Sequence, residues 1–292
     1  LLNEVCMKIK ITADSTCDLS PELVEKYNVG IMPLHVSLGE EDYLDGVTIQ
    51  PQAIYEYYAA NKVLPKSGCR TEEEYYNFFK GFLDEGYDAV IHYDISAEMS
   101  GSYQNAAAAC KRLDGVYVVD SRNLSTGTGL LVLDACDMAA AGMAADEIVK
   151  RSQKRAAAVQ ASFIIDKLEF LYRGGRCSSL VYLGANLLHI NPCIFVKNGE
   201  MGVGSKPIGK YIRCVDKYVA EIKKTYTNPD KKRVFVTHTK MDDGIAEHVV
   251  ETVKSWGIFD EVLETTAGCT VTTHCGSNTI GVLFINDGGK VD

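Results

Sequence analysis

Several features that commonly reveal a protein's function are absent from this sequence. Its ten cysteines include no C-x-x-C pair, and no G-x-x-x-x-G-K-[ST] loop or strand-linked G-x-G-x-x-G loop is present. A G-x-S-x-G elbow is also missing, and the cluster of Cys269, His274 and Cys275 lacks regular zinc spacing. The chain therefore offers no recognisable nucleotide cofactor site, no hydrolase elbow and no metal site.

A long apolar run and a strong basic patch are missing as well. Asp134 and Asp137 interrupt the best candidate for a membrane span. The net charge is −9, and the densest basic patch, Lys231–Arg233, is only three residues long. Because a phosphate backbone is repelled by such a charge, we expect no nucleic acid partner. Because no apolar run reaches the length of a membrane span, we expect no integral membrane association.

The cysteines and the first residues bear on the cellular compartment. Leu1–Cys6 lacks the basic and apolar regions of a signal peptide. Several cysteines lie inside apolar runs, where cysteine behaves as a small hydrophobic residue. We therefore expect a cytoplasmic protein in which the cysteines do not form a disulfide scaffold.

The length and the order of predicted elements indicate an α/β fold with two domains. A chain of 292 residues exceeds what one hydrophobic core usually serves. In the first half, predicted strands at Ile9–Thr12, Ala89–Tyr93 and Val116–Val119 are each followed by a loop and a helical pattern. This alternation predicts that residues 1–158 form a mainly parallel, three-layer α/β/α domain.

The second half mixes its elements differently. Residues 159–292 are predicted to form a C-terminal α/β domain with a mixed or antiparallel sheet. Pro192–Val196 and Val203–Pro207 read as two strands joined by the turn at Asn198-Gly199.

Two further assignments in the first half depend on apolar runs alone. Val29–Leu38 is predicted as one strand, and Leu130–Ala141 as a helix that follows a loop rich in glycine, serine and threonine. Thr71 with Glu74 predicts a capping box at the start of another helix.

Hydroxyl-bearing residues cluster after three predicted strands, in Asp14–Thr16, Ser96–Ser102 and Asp120-Ser121. Ligands collect at the carboxyl ends of strands in open α/β sheets. The free N–H groups where a helix begins, near Gly101, favour an anion. A role as simple helix caps fits these serines about equally well, and a lone residue such as His274 is more often a structural hydrogen-bonder.

A series of short motifs runs along nearly the whole chain, and each is weak on its own. In chain order they are Thr12–Leu19, Ile31–Leu34, Tyr43–Gly46, Ile95–Gln104, Val119–Ser121, Leu168–Leu171, Arg173–Arg176 and His274-x-Gly276. In their joint order these motifs resemble the DegV family of fatty-acid-binding proteins.

The resemblance implies a site that holds the carboxylate of a fatty acid between the two domains. Ser67 falls on the first threonine of the family's Thr-Ser-x-Pro-Ser loop, and Ser100 on the serine of its Ser-Gly-Thr loop, next to Gly101. His274 falls on the family's C-terminal histidine, and Arg173 lies in a loop that helps to build the same pocket mouth.

Other residues are implicated less directly. Ser96, Asp14 and Ser15 are predicted near the pocket mouth, and Leu183–Ile190 is a candidate lining for the acyl tail, although core packing explains that segment equally well. The loop Ser67–Thr71 lacks the family's proline. This departure bears on the shape of the loop and on the preferred acyl chain.

The resemblance implies a lipid carrier that is not itself an enzyme and needs no cofactor. It would bind a long-chain, palmitate-like fatty acid and present the carboxylate to a separate fatty acid kinase subunit, which forms an acyl phosphate for phospholipid synthesis. Two alternatives remain open. One is a stand-alone enzyme in which Asp14, Asp120 or His274 acts as an acid or base on a small substrate in the interdomain cleft. The other is a regulator in which lipid occupancy changes a protein interface.

Overall fold

A computed structural model of the chain describes residues 7–178 and 190–290. The described strands are β1 (Ile9–Asp14), β2 (Gly30–Met32), β3 (His35–Leu38), β4 (Glu41–Leu44), β5 (Lys66–Gly68), β6 (Ala89–Asp94), β7 (Val116–Asp120), β8 (Val159–Gln160), β9 (Ser162–Ile165), β10 (Cys193–Lys197), β11 (Glu200–Val203), β12 (Arg233–His238), β13 (Glu261–Thr266) and β14 (Thr279–Ile285). The described helices are α1 (Pro21–Lys26), α2 (Pro51–Asn61), α3 (Glu72–Asp84), α4 (Ser102–Cys110), α5 (Thr126–Ala140), α6 (Ala145–Ala156), α7 (Glu169–Gly174), α8 (Tyr211–Thr225), α9 (Ile245–Ser255) and α10 (Cys269–Cys275). Within these ranges no helix is both long and apolar enough to cross a membrane.

The first half is built on a parallel sheet with the strand order β2-β1-β6-β7. Successive side chains of a strand point to opposite faces, so Val90 packs against Phe79 on the side of α3 and α4. Its neighbour Ile91 packs on the other side, in the cluster that contains Leu130 of α5 and Ile148 of α6. The predicted three-layer α/β/α arrangement is confirmed.

A small antiparallel sheet with the order β4-β3-β5 flanks this parallel sheet. The prediction of a single strand over Val29–Leu38 is wrong, because the segment divides between the two sheets. β2 ends at Met32 and pairs with β1, whereas β3 begins at His35 and pairs with β4 and β5. Pro33, which lies between them, has no N–H to donate to a ladder.

The second half contains a mixed sheet with the order β11-β10-β9-β14-β12-β13, and β8 also pairs with β14. Within this sheet the pair β12–β13 is parallel, and the other described pairs are antiparallel. The mixed sheet is thus confirmed. Helices α8 and α9 cover one of its faces through residues such as Val219 and Val249, which pack against Val236.

The hairpin between β10 and β11 turns at Asn198-Gly199 as predicted. Both residues have positive φ, 54° and 87°, as a two-residue hairpin turn of this type requires. The second strand, Glu200–Val203, begins directly after the turn, so the predicted strand Val203–Pro207 is wrong in position.

Helix α5 lies between the two sheets. It packs against strands of the parallel sheet and against residues of the mixed sheet such as Leu283. The helix begins at Thr126, so four residues predicted as loop are helical. The small size of these residues lets the beginning of α5 lie close to its neighbours, because a Cβ on Gly129 would lie 2.8 Å from the carbonyl oxygen of Cys17. Thr126 in turn shares a hydrogen bond of 2.6 Å with Thr237 of β12.

The chain passes from one sheet to the other between α6 and β8. Helix α6 packs on the parallel sheet, ends at Ala156 and is followed at Val159 by a strand that pairs with β14 of the mixed sheet. The division into domains of residues 1–158 and 159–292 stays a prediction.

Candidate ligand-binding site

A cavity of about 260 Å³ lies where the carboxyl ends of the parallel strands face α7, α10 and β11. This position matches the rule that ligands bind beyond the carboxyl ends of strands in α/β sheets. Its polar lining residues include Thr16, Ser67, Ser100, Arg176, Thr270 and His274. Its apolar lining residues include Leu34, Ile95, Met99, Leu124, Leu171 and Val271.

Ser67 and His274 meet in this cavity although 207 positions separate them. Ser67 lies on the short strand β5 and His274 in the last turn of α10. The Ser67 hydroxyl and Nε2 of His274 are 2.7 Å apart. Burial lowers the pKa of His274 to about 4, and the positive charge of Arg176 acts in the same direction. The imidazole is therefore neutral at pH 7, and its Nδ1 has no hydrogen-bond partner among the described residues.

Ser100 and Gly101 form a second polar wall at the beginning of α4. The Ser100 hydroxyl accepts a hydrogen bond of 3.2 Å from the backbone N–H of Ser102, and the two serine hydroxyls are 2.9 Å apart. Gly101 approaches the β5 loop closely, since a Cβ on it would lie 3.4 Å from Sγ of Cys69. The Ser67 and Ser100 walls are thus neighbours, and hydroxyl groups and a helix start line the same cavity.

The cavity is lined by Arg176, whereas Arg173 lies outside its described lining. Arg173 is exposed and forms an ion pair of 2.8 Å with Glu169, one helical turn earlier. Helix α7 ends at Gly174 and is capped by Gly175, which has a φ of 71°, so the chain changes direction between the two arginines. The i,i+4 spacing of Glu169 and Arg173 was the sequence signal that this arginine had a local partner.

Asp14, Ser15 and Ser96 lie close to the cavity but are not among its lining residues. Asp14 is fully buried and accepts hydrogen bonds from the backbone N–H groups of Thr16 and Ile95, at 2.9 and 2.8 Å. Burial, together with the carboxyl group of nearby Asp94, raises the pKa of Asp14 to about 6.

The two serines have structural partners instead. The Ser15 hydroxyl donates to Asp45 at 3.0 Å. The Ser96 hydroxyl donates to the backbone oxygen of Gly199 at 2.7 Å, which joins the loop after β6 to the β10–β11 turn.

Three polar lining residues, Thr16, Arg176 and Thr270, were not singled out from the sequence as site residues. Thr16 belongs to the hydroxyl cluster after β1, so a signal for it was present. Thr270 lies in α10, which the sequence did not identify as a helix because the run Cys269–Cys275 is short and rich in threonine.

A second, smaller cavity of about 30 Å³ shares the walls Leu124, Val271 and Cys275 with the first. It extends over the face of the mixed sheet beside Phe163 and Leu283, and its surroundings are mainly apolar. The two cavities together give an apolar space next to the polar residues. The predicted tail-lining segment Leu183–Ile190 lies outside the described residues, except for Ile190.

Where the structure describes the chain, no group of three or more histidine, cysteine or acidic residues is arranged to hold a metal ion. Cys275, which lines both cavities, is a free thiol. Burial raises its pKa to about 12, so this thiol is neutral at pH 7.

Comparisons with known proteins agree with the fold and the motifs. A family model described as "Uncharacterised protein, DegV family" matches residues 8–287. A DegV domain-containing protein of Clostridium perfringens is 33% identical over 285 residues, which are 96% of this chain and 99% of that protein.

Two solved structures show the same architecture. A DegV family protein from Thermus thermophilus, described for its fatty acid binding, has a TM-score of 0.87 at 24% identity and covers 96% of this chain and 100% of its own. A stearic acid-binding protein from Eubacterium ventriosum has a TM-score of 0.82 at 27% identity, with 95% and 98% covered. The fold class predicted from the sequence is confirmed, and the chain belongs to the DegV family.

Proposed function

We propose that this chain binds one long-chain fatty acid between residues 1–158 and 159–292 and presents its carboxylate to a separate fatty acid kinase subunit. The observation that carries the proposal is the cavity in which the Ser67–His274 pair and the Ser100-Gly101 turn lie beside an apolar space. Two proteins of the same fold, from Thermus thermophilus and Eubacterium ventriosum, are described as fatty acid-binding and stearic acid-binding, respectively.

The apolar part of the site supports binding of an acyl tail. Each buried methylene contributes about 0.8 kcal/mol, so a palmitate-length tail contributes on the order of 10 kcal/mol before the cost of association is subtracted. Leu124 and Val271 line both cavities and provide apolar walls from the two halves of the chain.

The polar part supports binding of the carboxylate. A buried carboxylate without donors is costly, but here Ser67, Ser100 and Gly101 at the beginning of α4 line the cavity and bring hydroxyl and backbone donors to it. Arg176 adds a positive charge at the cavity, and charge-assisted hydrogen bonds to an arginine are among the stronger ones. Neutral His274 donates from only one ring nitrogen, so we assign the charge compensation to Arg176.

The proposed hand-over requires a carboxylate that another protein can reach. Arg176 lines the cavity and is also exposed to solvent, and Ser67 lies on a short strand whose neighbour Lys66 is exposed. These features support a head group near the surface with the tail inside. The kinase partner and the role in phospholipid synthesis rest on the family resemblance, and a cytoplasmic location rests on the cysteine usage and the first residues of the sequence.

The geometry favours a carrier over a stand-alone enzyme. With a pKa near 4, His274 is a weak base at pH 7. Asp14 is fully buried and its oxygens are occupied by backbone N–H groups, so it does not face a substrate. No described residue pairs a nucleophile with a base that a carboxyl group orients in this cavity.

Removal of one donor tests the proposed carboxylate site. Ser100→Ala is expected to weaken fatty acid binding about tenfold or more, because a hydrogen bond to a charged group contributes roughly 1.5–3 kcal/mol. Affinity is measured by titration of delipidated protein with palmitate, and Ser255→Ala, at an exposed serine at the end of α9, is the matched control. Equal affinities for the Ser100→Ala variant and the unmodified protein would contradict the assignment.

The proposed ligand is identified by organic extraction of the purified protein followed by mass spectrometry. One fatty acid per chain supports the carrier, and an empty protein that turns over a small metabolite contradicts it. Formation of acyl phosphate by a kinase subunit and ATP on the loaded protein distinguishes a carrier from a lipid-responsive regulator.

A further inference from the structure

Helix α10 brings a large share of the cavity wall into place. Thr270, Val271, His274 and Cys275 all lie on it and all line the cavity. The first N–H groups of a helix have no acceptor within the helix. The residues that accept hydrogen bonds from the N–H groups at the beginning of α10 therefore set the position of the helix. The site depends on these acceptors.

The acceptors come from the other half of the chain. The two carboxyl oxygens of Asp45 accept hydrogen bonds from the backbone N–H groups of Cys269 and Thr270, at 2.7 and 3.0 Å. A carboxyl oxygen of Asp18 accepts one from the N–H of Gly268 at 2.8 Å. Asp18 and Asp45 are 5% and 3% exposed, so water does not compete freely for these contacts.

The two acidic residues are themselves held in place. The Ser15 hydroxyl donates to Asp45 at 3.0 Å and accepts a hydrogen bond of 3.1 Å from the N–H of Leu34. The hydroxyl of Ser125 donates to Asp18. Ser125 has φ 53° and ψ −145°, a strained conformation for a residue other than glycine, which persists only where the surroundings impose it.

The approach between the two halves is close at this point. A Cβ on Gly268 would lie 3.2 Å from one oxygen of Asp45 and 3.3 Å from one oxygen of Asp18. A Cβ at this position would require the helix or the two carboxyl groups to shift by a few tenths of an ångström. The contact thus combines three hydrogen bonds with a close approach at position 268. Only glycine fits there without displacing its neighbours.

We propose that Asp45, together with Asp18, is a positioning residue for the candidate site: the two carboxyl groups hold the beginning of α10 so that His274 meets Ser67. This inference rests on the proposed function where it concerns lipid binding. The residues do not contact the ligand and act through α10. Apolar packing of Cys269 against Val36 and Ile54 also holds the helix, so the test must separate positioning from general stability.

The test compares Asp45→Asn with the unmodified protein in three measurements. The asparagine keeps the size of the side chain but turns an NH₂ group toward an N–H of α10, so one of the two helix contacts is lost. We expect the ring-nitrogen NMR signals of His274 in the ligand-free protein to lose the signature of its hydrogen bond to Ser67. We also expect palmitate affinity to fall at least tenfold, at a temperature where thermal unfolding shows the variant to be folded. Asp84→Asn, on the exposed side of α3, is the control for the change in charge and leaves all three measurements unchanged.

Two outcomes overturn the inference. Either Asp45→Asn leaves the His274 signals and the affinity unchanged while only the melting temperature falls, or both variants behave alike. If the unmodified protein binds no fatty acid, the proposed function fails, and the His274 signals of the ligand-free protein still decide the inference.

If Asp45→Asn does not fold, Ser15→Ala replaces it. This variant removes one support of Asp45, and it is expected to shift the His274 signals and weaken binding three- to tenfold. Unchanged His274 signals in that variant count against the proposal.

Discussion

Burial shifts the pKa values of ionisable residues around the cavity in opposite directions. Burial disfavours the charged form of any group, so it lowers the pKa of a histidine and raises that of a carboxyl group. His274 accordingly has a pKa of about 4, whereas Asp14 has one of about 6 and Asp18 one of about 8. The hydrogen bonds that Asp18 accepts from Ser125 and Gly268 lower its pKa but do not cancel the effect of burial.

The raised pKa of Asp18 predicts a decline in stability as the pH rises. Between pH 4 and 8 the native state keeps a proton that the unfolded state has lost, so the stability contribution is fully present below pH 4 and is lost toward pH 8. Each pH unit in that window corresponds to about 1.4 kcal/mol. Asp18→Asn has no proton to lose. Its amide oxygen still accepts from Gly268, and its NH₂ group can donate to the Ser125 hydroxyl, so we expect its unfolding free energy to change less between pH 6.5 and 8.

Urea unfolding of both proteins at pH 6.5 and pH 8 measures this difference. His274 and Asp14 titrate mostly below pH 6.5, so their contributions change little in this interval and are shared by the two proteins. Parallel pH dependences would show that Asp18 ionises at low pH in the native state.

At the scale of elements, the contact between α7 and α10 sets the environment of His274. Gly174 faces the imidazole so closely that a Cβ on it would lie 2.5 Å from Nδ1 of His274. Its conformation is helical, so the glycine is not required by backbone geometry. The absence of a side chain at this position therefore serves the packing of the histidine.

Gly174→Ala is expected to displace His274 from Ser67 or to separate the two helices. Because of this collision, we expect the variant to bind palmitate at least tenfold more weakly than the unmodified protein. Titration of the delipidated proteins measures the two affinities. Gly81→Ala, in the middle of α3, is the matched control because open space surrounds its added Cβ. That variant is expected to gain roughly 0.4–1 kcal/mol of stability from reduced flexibility of the unfolded chain, with unchanged affinity. Unchanged palmitate affinity of Gly174→Ala would show that α7 shifts to accommodate the methyl group without an effect on the site.

At the scale of the whole molecule, a buried ion-pair network joins the two halves away from the cavity. Arg155 of α6 is 3% exposed and contacts three carboxyl groups. It forms ion pairs of 2.7 Å with Asp134 of α5, 2.6 Å with Asp230 before β12 and 2.8 Å with Asp287 after β14. The network therefore fastens the helices of the parallel sheet to the ends of two strands of the mixed sheet.

Loss of the central cation is expected to destabilise the protein strongly. Arg155→Met leaves three acidic groups close together with no cation between them, and breaking a buried pair in this way costs about 3–5 kcal/mol. Urea unfolding measures the loss. Arg151→Met, one turn earlier on the same helix, removes a more exposed i,i+4 pair with Glu147 and is expected to cost less than about 1 kcal/mol. Similar losses in both variants would argue against the network as a fastening between the halves.

Features that depend on near neighbours in the chain were predictable from the sequence. The capping box of Thr71 and Glu74 is present, and the Asn198-Gly199 hairpin turns as expected. Such features involve residues at most a few positions apart, so their chemistry is visible in the sequence. The family motifs also identified residues that lie far apart in the sequence. These are Ser67, Ser100, Gly101 and His274, which the structure brings to one cavity.

Tertiary packing decided the rest. The sequence could not show that Thr126–Gly129 is helical, because only contact with the neighbouring sheets makes small residues favourable there. Nor could it distinguish Arg176 from Arg173, since the direction of each depends on how α7 ends and where it packs. The hydrogen bonds that Asp45 accepts from the N–H groups of α10 join residues more than 220 positions apart. Contacts of that kind form only after the two halves meet, and no local pattern encodes them.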